Sequence, residues 1–226
     1  MLGLGGTFER VAQLMRKATS GDNKIMFVGN GGSASIASHM AIDFSKNGKM
    51  RALAFNDGAM LTCLGNDLGY ERVFAEQIGF HGRRGDVLVA ISSSGRSPNI
   101  LSAIEAGRTA ECSVITFTGF SSDNPARSAG DYNFYIQSPE YGIVEVAHLA
   151  LIHALLDLTI SEALAATDEV RPKDSKVSAL NPNTISRRSK PRSTAATISP
   201  ATIERGQGGI RLGGTGLSDE HATNRT

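Results

Sequence analysis

Apolar residues recur along the first 168 positions with two alternating periods. Phe8, Val11, Leu14 and Met15 share one face within FERVAQLMRKA, which predicts a helix over 8–18, broken by Ser20–Gly21–Asp22–Asn23. KIMFV at 24–28 is a continuous apolar run of the kind found in strands buried on both faces, and it ends at Gly29-Asn30-Gly31-Gly32-Ser33. Helical spacing returns over 35–44. Further strands are predicted at 52–55, 86–92 (DVLVAIS), 113–118 (SVITFT) and 132–136, with a short element beginning over 61–65. Helices are predicted at 73–80, from the end of 93–99 through Arg108, and over 144–164. Short apolar strands alternating with helices predict an α/β fold, a parallel sheet covered on both faces, with ligands beyond the carboxyl ends of its strands.

Charge and aromatic content divide the chain. Residues 171–226 hold ten Lys/Arg against four Asp/Glu, a net of +6, which leaves −5 for residues 1–170. All thirteen Phe and Tyr lie before the tail. A segment without aromatics and rich in Ser, Thr, Pro, Asn and Gly buries too little apolar surface to offset its ordering entropy. The expectation is therefore a folded domain over 1–168 and a basic, low-complexity, disordered tail over 169–226. Arg187, Arg188, Lys190 and Arg192 lack interleaved aromatics, so a solvated tail is expected rather than nucleic-acid binding. Cys63 and Cys112 alone cannot build a disulfide framework or a Cys-only zinc site. The first ten residues lack a basic-then-apolar signal pattern, and no stretch reaches about 18 uninterrupted apolar residues. A soluble, cytoplasmic protein without a membrane partner is expected.

Two strand ends carry loops suited to an anion. In GNGGS, glycines let the backbone approach a ligand closely, and the following helix start supplies free N–H groups. The loop lacks the Gly-Lys-Ser/Thr ending of a Walker A motif and the third Gly of a dinucleotide fingerprint. The second loop, Ser92-Ser93-Ser94-Gly95-Arg96-Ser97-Pro98-Asn99, offers more hydroxyls than one helix cap needs.

With GNGGSASIASH, LGNDLGYERVFAEQI, GDVLVAISSSGRSPN and a late helix carrying two histidines in that order, residues 5–165 resemble the sugar-isomerase (SIS) domain. Within it they look most like the phosphoheptose isomerases. The resemblance implies a flavodoxin-like five-stranded parallel sheet and a homotetramer with active sites built between subunits. It also implies conversion of sedoheptulose 7-phosphate to heptose 7-phosphate, a precursor of lipopolysaccharide or capsule heptose. By this likeness Ser33, Ser92, Ser94 and Ser97 hold the sugar phosphate beside the backbone of Gly31 and Gly32, while Asn30, Ser93 and Asp67 contact the sugar chain. Other SIS domains are non-catalytic sugar-phosphate-binding or protein-binding modules, or isomerases of other sugar phosphates, and both alternatives stand at this point.

Aldose–ketose isomerisation needs a base that moves a proton between neighbouring carbons, and an acid or a metal at the two oxygens. His39 and Asp43 lie four apart on the predicted helix after GNGGS and so share a face. Glu145 and His153 are eight apart on the last helix, about 80° around its axis, whereas His148 lies about 140° from His153 and reads as a packing residue. By resemblance Asp43 and His153 are the catalytic pair, and His39, Asp43, Glu145 and His153 correspond to a Zn²⁺ set. Three departures from the family pattern stand out. Asp43 replaces a glutamate, Glu145 a glutamine, and Gly142 an aspartate.

Overall fold

The computed structural model describes residues 3–169; the basic tail expected to be disordered lies, from residue 170 onward, outside them. Among the described residues seven helices and five strands follow in order: α1 (Leu4–Ser20), β1 (Lys24–Gly29), α2 (Gly32–Lys46), β2 (Arg51–Ala54), α3 (Gly58–Leu68), α4 (Val73–His81), β3 (Val87–Ser92), α5 (Pro98–Thr109), β4 (Ser113–Thr118), α6 (Ala126–Ala129), β5 (Tyr132–Tyr135) and α7 (Tyr141–Glu169). A single 3₁₀ turn, Tyr70–Arg72, links α3 to α4. All strand pairs are parallel and the sheet order is β2-β1-β3-β4-β5. This is the flavodoxin-like arrangement, whose topological switch point lies between β1 and β3.

The central strands were legible because every residue of β1 and β3 is buried. Alternate side chains serve opposite faces. Ile25, Phe27, Val87, Val89 and Ile91 join the core beneath α1, α2 and α7, while Met26, Val28, Leu88 and Ala90 join the core beneath α3, α4 and α5. Helix ends differ from the pattern-based bounds. α1 starts at Leu4, α7 starts at Tyr141, and the short element at 61–65 is an eleven-residue helix whose N-cap Asp57 accepts from Met60 N at 2.9 Å. The apolar period marks only the buried stripe, whereas exposed first turns are set by backbone bonds such as Val144 N to Glu140 O at 3.0 Å.

α7 packs on α1 and α2. Its Tyr141–Ser161 stretch is long and apolar enough to cross a membrane, and 33% of that stretch is buried against the rest of the chain. Ile143 and Val146 stand exposed on it.

Candidate active site

Both loops leave adjacent strands at the switch point. After β1, a Cβ at Gly29 would meet the Ser33 backbone at 2.6 Å, so only glycine lets the chain fold back there. Gly31 then adopts φ 54°, and α2 begins without a side-chain cap, leaving its first amides directed at the loop's concavity. After β3, Ser92 Oγ accepts from Gly95 N at 3.1 Å and Ser94 Oγ from Arg96 N at 3.2 Å. A hydroxyl that accepts a backbone N–H retains its own proton to donate. Ser97 stands at the N-cap of α5 without making a capping bond, and the buried Ser93 Oγ has no partner among the described residues. Gly95 holds φ 61°, and a Cβ there would overlap the Asn124 side chain.

These loops enclose a cavity of about 250 Å³ lined by residues 30–33 and 92–94, Ile91, Ser97, Tyr141 and Glu145. Uncapped amides and unspent hydroxyls make it a candidate anion site, which the Glu145 carboxylate also lines. A larger groove of about 760 Å³ between α4 and α5 carries Arg72 and Glu105 but opens onto no strand end.

A second group forms further along the same helices. His39 and Asp43, one turn apart on α2, meet His153 from α7. His39 Nε2 lies 3.3 Å and His153 Nδ1 3.8 Å from Asp43 Oδ2, and the imidazole centroids are 5.2 Å apart. The three ligand-type atoms lie within 4.8 Å of one another. Two imidazoles and one carboxylate at that spacing are a donor set suited to Zn²⁺ or a similar ion with an open position.

Glu145, expected as a fourth member, is not in this group. Its carboxylate lies against Gly32 in the cavity between the two loops, where a Cβ on Gly32 would overlap it. Asp67, expected at the sugar chain, is exposed on α3, accepts from Asn66 Nδ2 at 2.8 Å, and does not line the cavity. His148 is fully buried, with Nε2 3.1 Å from the Thr118 carbonyl. Burial pushes its pKa down to about 4, the Thr118 bond opposing the shift, so the ring is neutral and donates through Nε2.

Three residues beside the cavity were not singled out from the sequence. Tyr141 rims it and packs edge-on to Phe120 with centroids 4.7 Å apart. Asn99 bonds reciprocally to Asn30, and Tyr70 Oη donates to Asn30 Oδ1 at 3.2 Å. The only sequence signal for Asn99 was its place at the end of the hydroxyl loop.

Comparison with known proteins decides the family. Residues 5–119 match the SIS domain. A phosphoheptose isomerase of Edwardsiella ictaluri is 36% identical over 164 residues, covering 68% of this chain and 82% of that protein. The chain belongs to the SIS-domain phosphoheptose isomerase family. The phosphoheptose isomerase structure from Neisseria gonorrhoeae is 35% identical with a TM-score of 0.65, covering 69% of this chain and 86% of that one. Its counterpart from Francisella tularensis is 27% identical with a TM-score of 0.64 over the same shares. The SIS-domain chain is thus a phosphosugar isomerase, an enzyme of aldose–ketose interconversion.

Proposed function

We propose that this isomerase converts sedoheptulose 7-phosphate to heptose 7-phosphate. One observation carries the proposal. The anion cavity and the His39–Asp43–His153 group share α2 and α7, and α2 rises about 10 Å between Gly32 and His39, roughly the reach of an extended seven-carbon sugar phosphate. With the phosphate on the amides of Gly32 and Ser33 and the hydroxyls of Ser92, Ser94 and Ser97, the carbonyl end of the sugar extends toward Asp43. Asp43 takes the proton from C1 of the ketose, giving an enediol, and returns it to C2, while His153 moves a proton between the two oxygens. No redox partner is needed, because one C–H bond breaks and one forms. His39, Asp43 and His153 are the residues we assign to Zn²⁺, which when bound supplies polarisation of the two sugar oxygens.

The partner surface follows from exposure. Ile42, beside Asp43, and Ile143 and Val146 on α7 are all more than half exposed. A second copy of the chain covering these side chains, within a homotetramer that completes the sites between subunits, accounts for them in a cytoplasmic protein better than lipid does, because the polar, exposed His39 stands one turn from Ile42 on α2.

The test is coupled turnover on sedoheptulose 7-phosphate, with chelator and with added zinc. Asp43→Asn and His153→Ala should each lower kcat by about 10²–10⁴-fold while sugar-phosphate binding persists. Full turnover in both variants removes the mechanism. A purified chain that stays monomeric in sedimentation removes the assembly. Tyr141 beside Gly142 gives a different rim from the one the family aspartate would make, so a second sugar phosphate turned over faster would change the substrate and keep the chemistry.

A further inference from the structure

Asn99 sits at the second position of α5 with only 2% of its surface exposed, and its amide faces that of Asn30, 69 residues away. Asn30 Nδ2 donates to Asn99 Oδ1 at 2.9 Å, and Asn99 Nδ2 donates back to Asn30 Oδ1 at 2.9 Å. Tyr70 Oη, from the 3₁₀ turn, donates to the same Asn30 oxygen at 3.2 Å. An amide oxygen accepts two such bonds, so Asn30 Oδ1 is saturated and a single N–H remains for anything else. Asn30 is therefore occupied as a strut between the two loops.

We propose that Asn99 is a positioning residue for the anion cavity. Together with Tyr70 it locks Asn30, and so holds GNGGS at a fixed distance from the hydroxyl loop. The need for such a tie follows from the glycines. Gly31 and Gly32 leave the first loop free to adopt many conformations, and ordering it upon ligand arrival would be charged against affinity. Amides from α2 and hydroxyls from the second loop must meet on one phosphate group, and donors from two loops converge only if the loops are held to within about 0.5 Å. The clamp acts at the phosphate, far from the carbons that exchange the proton, so its loss weakens binding without touching the chemical step. It rests on the isomerase proposal only for the identity of the sugar.

The experiment measures inorganic phosphate binding by calorimetry and turnover of sedoheptulose 7-phosphate, on the full chain and on Asn99→Ala, Asn30→Ala, the double variant and Tyr70→Phe. Each asparagine variant should bind inorganic phosphate about tenfold more weakly and raise KM by the same factor, with kcat within about twofold. The double variant should be no worse than Asn30→Ala, since without Asn30 neither Asn99 nor Tyr70 has a partner in the first loop. Tyr70→Phe, at an exposed position, should lose about two- to threefold. Asn99→Ala that loses thermal stability yet keeps its phosphate affinity overturns the proposal. So does a double variant weaker by the product of the two single losses, because Asn30 would then bind ligand in its own right. If Asn99→Ala does not fold, Asn30→Ala and Tyr70→Phe decide by the same criteria. A chain that binds phosphate but does not turn over the sugar refutes the substrate and leaves the clamp to stand or fall on phosphate alone. A chain that binds no phosphate overturns the clamp.

Discussion

β1 and β3 end in opposite chemistry at their two edges. At the amino edge, Asp86 accepts from Lys24 N at 2.9 Å, Asn23 Nδ2 at 3.2 Å and Arg83 N at 2.8 Å, and it pairs with the Lys24 ammonium. Burial pushes the Asp86 carboxyl up, but these bonds outweigh it and hold the pKa below its usual 3.8. At the carboxyl edge of the same strands, Ser97 caps nothing, Ser93 Oγ has no partner, and α2 starts without a side-chain cap. A saturated polar cluster closes a fold, whereas an unsaturated one awaits a ligand. The phosphosugar isomerase keeps both on one pair of strands.

Four changes would break or sharpen that contrast. The largest effect belongs to the saturated edge. Asp86→Ala leaves the buried Lys24 ammonium without its carboxylate and should cost about 3–5 kcal/mol in denaturant unfolding, with the KM of the remaining folded enzyme unchanged. A raised KM would mean that the two edges are coupled.

Acid comes next. His148 titrates near 4 when folded and near 6.5 when unfolded. The unfolded chain therefore takes up the proton first, and stability is lost as pH falls from about 6.5 to about 4, by roughly 3 kcal/mol in all. The depressed Asp86 adds a further loss below about pH 3.8. His148→Gln, which keeps a donor for Thr118 but cannot titrate, should flatten the upper part of that slope in urea midpoints measured at pH 7, 5 and 4. Persistence of the slope would place its origin elsewhere.

Gly95→Ala follows at about 1–3 kcal/mol, because it forces a side chain to φ 61° against Asn124. It should weaken both stability and phosphate affinity. Ser97→Ala is the smallest change, raising KM about fivefold with the melting temperature unmoved, because its hydroxyl makes no capping bond in the folded chain. A fall in melting temperature would show that Ser97 is a structural cap.

The sequence disclosed what local physics controls. Runs such as KIMFV and DVLVAIS are strands because both faces of the sheet are covered, and the two candidate anion loops follow from their places at strand ends. His39 and Asp43 share a face by helix spacing alone. What no local rule supplies is the meeting of α2 with α7, so the approach of His153 to Asp43 rested on resemblance. Glu145 shows the limit of angular reasoning. Eight residues along α7 bring it within about 80° of His153, but they also separate the two by about 12 Å of rise, enough to leave Glu145 beside Gly32 while His153 reaches His39. The Asn30–Asn99 pair was illegible because its partners belong to different loops and meet only when the sheet aligns β1 with β3.

That α7 touches the cavity at one point and the imidazole group at another makes its axial position a calibration. Thr118 supplies the index mark, for its carbonyl engages His148 between Glu145 and His153. Each residue of slippage would carry His153 about 1.5 Å past Asp43 and draw His148 the same distance along from Thr118. The buried histidine is the graduation against which the exposed group's approach is read.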